Sequence, residues 1–89
     1  MSLYLISYDL NSLFKDYNAL YEAIESIGPS CHCLESTWLV YTNTSAQDIC
    51  TAISLRIGVN LSLLVIKVSK DFQTWLPAES RNFIVKYLS

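Results

Sequence analysis

Leu61-Ser-Leu-Leu-Val-Ile-Lys-Val68 is the stretch on which the fold turns. Rich in branched apolar residues and free of proline, it reads as a strand. Successive strand side chains face opposite ways. Leu61, Leu63 and Val65 therefore oppose Leu64, Ile66 and Val68, and both sets are apolar. Such a strand belongs to a sheet that needs cover on both faces.

Upstream, Ser45-Ala-Gln-Asp48 resembles a capping box with Asp in place of Glu. It opens a helix whose buried face is Ile49, Ala52, Ile53 and Ile57, closed by Gly58. Cys31 to Leu34 and Thr37 to Thr42 read as two short strands, or as one strand bent near Glu35-Ser36. Tyr17, Leu20, Tyr21, Ile24 and Ile27 recur at helical spacing. Gly28-Pro29 stops that helix, since glycine suits a left-handed cap and proline cannot continue the turn. Leu3 to Tyr8 is a first strand, with Leu3 and Leu5 on one side and Tyr4, Ile6 and Tyr8 on the other. Downstream, Pro77 suits a helix start, and Phe83, Ile84, Tyr87 and Leu88 form one stripe of a terminal helix.

The order β-α-β-β-α-β is that of the ferredoxin-like fold. The expectation is an α+β domain over residues 1–89, an antiparallel sheet with helices on one face and an added C-terminal helix. That last helix covers part of the second face, and a second copy stacked sheet on sheet accounts for the whole pattern. Composition agrees. The chain is 52% hydrophobic and only 16% charged, against about 25% charged in a typical domain, so it lacks the means to coat itself in water. A homodimer is expected, with Tyr8, Trp38 and Trp75 as candidate contacts.

Six Lys and Arg against eight Asp and Glu leave a net charge of −2. Non-specific nucleic-acid binding needs clustered cations, and Lys15, Arg56, Lys67, Lys70, Arg81 and Lys86 are scattered, so a broad basic surface is not expected, while a local patch built from two subunits is allowed. The N-terminus has no basic run and Asp9 interrupts its apolar stretch, unlike a signal peptide. Leu61–Val68 is too short to span a bilayer. A cytoplasmic protein without membrane contact is expected, and three cysteines, an odd number, suit reduced thiols. On a strand, Cys31 and Cys33 face away from His32, so the three cannot converge on one ion. No nucleophile elbow and no phosphate-cradling glycine loop is present. Triad hydrolysis, nucleotide hydrolysis of the P-loop kind and an organic cofactor are therefore not expected.

Asp9 follows Tyr8, where a charged group must emerge at the rim of the sheet. Asp9 and Asn11 read either as residues that cap the first helix or shape its loop, or as part of a functional rim. One carboxylate per chain holds Mg²⁺ poorly, but two symmetry-related carboxylates plus waters suffice. A metal so held stabilises a phosphoryl oxyanion or activates water. Asn11, Lys15, Ser36 and Thr37 are candidate phosphate or rim contacts, although turn hydroxyls also satisfy local backbone groups.

Four blocks carry a family resemblance. They are Leu3-Tyr-Leu-Ile-Ser-Tyr-Asp-Leu-Asn11, Tyr17-Asn-Ala-Leu-Tyr-Glu-Ala-Ile24, Leu34-Glu-Ser-Thr-Trp-Leu-Val40 and Leu63-Leu-Val-Ile-Lys-Val68. In register they resemble the small bacterial proteins labelled SinR-like. Those are similar to the ferredoxin-like endoribonuclease of CRISPR antiviral systems, the dimeric partner of the spacer integrase. The resemblance runs through nearly the whole chain and implies a dimer in which the aspartate ending the first strand is catalytic and a metal ligand, paired with its mate. Asp9 matches that aspartate, and Ser36 is similar to the family's second-strand serine. Gly58-Val-Asn-Leu-Ser62 stands where relatives carry a charged run, and the family's nucleic-acid-tracking arginines have no counterparts. The function so implied is a Mg²⁺-dependent endonuclease on RNA or DNA. The alternative is a non-catalytic homodimeric scaffold that binds nucleic acid or a protein partner.

Overall fold

The structure, a computed structural model, describes residues 1–10, 17–58 and 61–88. Its elements run β1 (Ser2–Leu10), α1 (Tyr17–Glu25), β2 (Ser30–Leu34), β3 (Thr37–Thr42), α2 (Ala46–Ile57), β4 (Leu61–Lys67) and α3 (Ala78–Leu88). The four strands form one antiparallel sheet in the order β2-β3-β1-β4. Both βαβ halves thus keep a strand between their parallel members, which is the ferredoxin-like arrangement with an extra C-terminal helix.

β1 sits between β3 and β4, and its alternation sorts the whole interior. Tyr4, Ile6 and Tyr8 join Trp38 and Val40 beneath α1 and α2, packed on Leu20, Ile24, Ile49 and Ile53. Leu3 faces the other way, with Leu39, against Ile84 of α3. Each fully buried Leu or Ile contributes about 1.5–3 kcal/mol, so the larger cluster beneath α1 and α2 dominates stability. The second face is covered only in part: Leu64 and Ile66 of β4 remain 55% and 50% exposed.

Several expectations are refined. β1 runs on to Leu10 because Asp9 and Leu10 still find partners in Ser62 and Leu61. The region from Cys31 to Thr42 is two strands, turned at Glu35-Ser36. Ser45 caps α2 through its side chain, which accepts from the Asp48 N–H at 3.1 Å. Ala52 is exposed rather than buried, and Ala46, Ile49, Ile53 and Ile57 line the inner side of α2. Gly28 is not in the left-handed region; among the described residues Gly58 alone lies there, at φ 99°. Gly28 is needed for a different reason: a Cβ there would run into the carbonyl oxygen of Tyr41. That approach is fixed by the Tyr41 N–H donating to the Pro29 carbonyl at 2.9 Å.

The sheet has two free edges of different quality. The Val68 N–H donates to the Leu3 carbonyl, so odd residues of β1 form the hydrogen-bonded pairs with β4. Leu61, Leu63, Val65 and Lys67 then turn their backbone groups outward along an uninterrupted strand. The β2 edge is only five residues long, breaks register between His32 and Leu34, and ends beside Glu35.

The close approach at Gly28 predicts that Gly28→Ala costs about 1–3 kcal/mol, as an overpacked site does. A lowered urea midpoint at unchanged m-value is the expected reading.

Candidate functional site

The rim at the C-terminal end of β1 is assembled from three strands. Asp9 is exposed and sits opposite Ser62 of β4, a hydrogen-bonded pair with Cα atoms about 5.5 Å apart. Two residues back on the same face, Ser7 lies between Leu64 of β4 and Thr37 of β3. The Ser7–Thr37 pair is the non-hydrogen-bonded kind, in which side chains come closer. Tyr8 closes the arrangement by donating its N–H to the Ser36 carbonyl at 3.1 Å, which holds the β2–β3 turn against β1.

Asp9, Ser36 and Thr37 are therefore brought to one end of the sheet. Asp9 lies inside β1, well ahead of α1, so it does not cap that helix. Asn11 and Lys15 lie outside the described residues. Ser7 and Ser62 were not singled out from the sequence, although Ser7 shares the parity of Asp9 on β1 and was available to that signal. Among the described residues the donor set at this rim is one carboxylate with flanking hydroxyls. No three His, Cys, Asp or Glu side chains gather to hold a metal ion among the described residues.

Of the candidate dimer contacts, two need correction. Tyr8 and Trp38 point beneath α1 and α2 and are buried, 6% exposed each, so they cannot meet a partner across the opposite face. They serve a polar–aromatic cluster there. His32 stacks on Trp38 with centroids 4.6 Å apart, and Tyr21 tilts against both rings. The Glu35 carbonyl accepts from the Tyr8 hydroxyl at 3.1 Å and from His32 Nε2–H at 3.0 Å. Burial, then the neighbouring Tyr21 hydroxyl, pushes the Tyr8 phenol well above its usual range. The nearby Trp38 Nε1–H pulls the other way, and it is a buried donor without a partner among the described residues. Trp75, by contrast, stands free on the α3 side of the sheet.

An apolar groove of about 370 Å³ begins at Thr37 and runs beneath residues 72–76, lined by Leu5, Leu39, Val68, Phe72 and Ile84, with Trp75 at its mouth. Cys31 and Cys33 lie on this side and His32 on the other, so the three diverge as their alternation requires. Cys31 Sγ donates to Ser80 Oγ and Cys33 Sγ to the Thr37 carbonyl, each at 3.5 Å. Burial pushes the Cys33 thiol up, which makes it a poor nucleophile. Among the described residues no helix is long and apolar enough to cross a membrane.

A phenol raised by burial keeps its proton in the fold while the unfolded chain loses it near pH 10. Stability from Tyr8 is thus full below about pH 10 and falls as pH rises beyond it. Tyr8→Phe should flatten that alkaline fall while costing about 1 kcal/mol at neutral pH for the lost hydrogen bond, both readable from urea melts across pH. Set beside known proteins, the chain matches no protein-family model and no curated sequence.

Proposed function

We propose that the chain works as a homodimeric scaffold whose binding surface is built on the sheet face away from α1 and α2. One observation carries this: α3 covers only the Leu3–Leu39 part of that face, and Leu64 and Ile66 stand half-exposed beside it on an edge strand. Large apolar side chains clustered on one face mark an interaction site. A self-complementary contact about a two-fold axis closes at two chains.

The placement of Asp9 favours a second reading, a Mg²⁺-dependent endonuclease. Asp9 sits on the same face as Leu64, one paired row beyond Ser7. A two-fold contact through Leu64 would bring both Asp9 carboxylates near its axis, the pair of carboxylates that Mg²⁺ requires. Bound there, the ion would supply charge stabilisation for a phosphoryl oxygen. Ser7, Thr37 and Ser62 would orient water or phosphate through their hydroxyls.

Sedimentation equilibrium tests the scaffold: a mass of twice 10.1 kDa is expected, and Leu64→Glu should return it to one chain without unfolding it. A wild-type monomer at micromolar concentration removes the scaffold reading. Asp9→Asn tests the second reading, because it removes both charges at nearly constant size. Cleavage of single-stranded RNA or duplex DNA that requires Mg²⁺ should disappear in this variant. If no metal sits between the carboxylates, the same change should tighten the dimer by relieving like-charge repulsion.

A further inference from the structure

Residues 68–77 form a strap that leaves β4, crosses the sheet face and enters α3. The strap is tied at its ends, where Val68 N–H meets the Leu3 carbonyl and Arg81 N–H meets the Pro77 carbonyl. Between those ties, among the described residues, no backbone hydrogen bond joins it to the sheet. On it, Trp75 is 102% exposed and Phe72 39% exposed. An indole left wholly in water has a large stacking surface with nothing on it.

The charges around the strap are not those of the whole chain. From residue 67 to 88 the cations Lys67, Lys70, Arg81 and Lys86 outnumber Asp71 and Glu79, leaving net +2. Residues 1–66 carry Lys15 and Arg56 against Asp9, Asp16, Glu22, Glu25, Glu35 and Asp48, net −4. α3 divides these charges between its flanks. Glu79 turns to the β2 edge, toward Glu25 and His32. Arg81 turns to the strap, where it lines a hollow of about 320 Å³ with Gln73, Thr74, Trp75 and Leu76. Lys70 and Phe72 line a second hollow against Val85 and Leu88.

We propose that this flank binds single-stranded nucleic acid. An unpaired base stacks on the Trp75 indole, Phe72 offers a second aromatic surface, and Arg81 and Lys70 meet the flanking phosphates. Aromatic side chains interleaved with cations are the means by which proteins hold single strands. A duplex hides its base faces and would leave the indole unused. Trp75 stands at the mouth of the apolar groove, but the hollow it shares with Arg81, Gln73 and Thr74 is polar and cationic, which favours a nucleic acid over an apolar protein segment. The inference names the partner of the scaffold proposed above and rests on that reading only for the use of a binding surface.

Titrating the full chain with an oligothymidylate of about 12 nucleotides should quench tryptophan fluorescence, since Trp38 is packed in the core and Trp75 is free. Two phosphate contacts predict a log–log salt slope of about −1.4, which Arg81→Gln should reduce by about 0.7. Trp75→Ala should weaken binding about tenfold, with no loss of folding because the side chain packs on nothing. No quenching, or binding indifferent to both variants, overturns the proposal. A concentration-dependent blue shift of Trp75 without oligonucleotide also overturns it, by giving the indole to a second copy. A dimer that ignores oligothymidylate sinks this inference and leaves the scaffold standing; a monomer that binds it does the reverse.

Discussion

The alternation of β1 is the constraint on which everything else depends. Because β1 pairs with β3 on one side and β4 on the other, its even residues join the core beneath α1 and α2. Its odd residues supply, in turn, Leu3 for α3, Leu5 for the groove, and Ser7 and Asp9 for the rim. A slip of one residue would exchange the two sets, burying Asp9 and expelling Ile6. The rim is therefore not a separate decoration. Asp9 reaches the open face because Ile6 and Tyr8 must reach the core.

The second face is divided along its length. At one end Ile84, Phe83 and Tyr87 lie over Leu3, Leu39 and Tyr41, with the Tyr41 and Tyr87 rings 4.5 Å apart. At the other end the surface changes from apolar to hydroxyl-rich within a few residues, from Ile66 and Leu64 through Ser7 to Asp9. The strap is fastened to the apolar end, where Val68 and Leu76 join the Leu3–Leu39–Ile84 cluster. α3 thus acts both as cover for an apolar sheet and as the element that sorts charge, with Arg81 on one flank and Glu79 on the other.

Much of this was legible in the sequence. Period-two runs at Leu3–Tyr8 and Leu61–Val68 announced two strands apolar on both faces, and helical spacing placed α1, α2 and α3. What the sequence withheld were relations between elements. Trp38 looked like a contact residue because nothing local says that position 38 pairs with Ile6 and so shares its buried side. Gly28 looked like a cap, and only the distant Tyr41 carbonyl explains it. The hydroxyls of Ser7 and Ser62 joined Asp9 through register, which no single strand encodes. Trp75 was read as a contact residue in the same way and does lie outside, but the strap's path across the sheet, which leaves it there, is not written in its neighbours.

The unequal edges have a consequence for growth. A polymer of sheets needs two adhesive sides on every unit, one to receive and one to offer. Here β4 presents a long unbroken row of outward backbone groups, while β2 is short, out of register at His32 and Leu34, and ends beside a glutamate. Chains joined β4 to β4 about a two-fold axis would leave only blunt β2 edges facing outward. Pairing of that kind would be self-terminating: it would use up the long adhesive edge at the first contact and leave no second edge of equal length for a further copy.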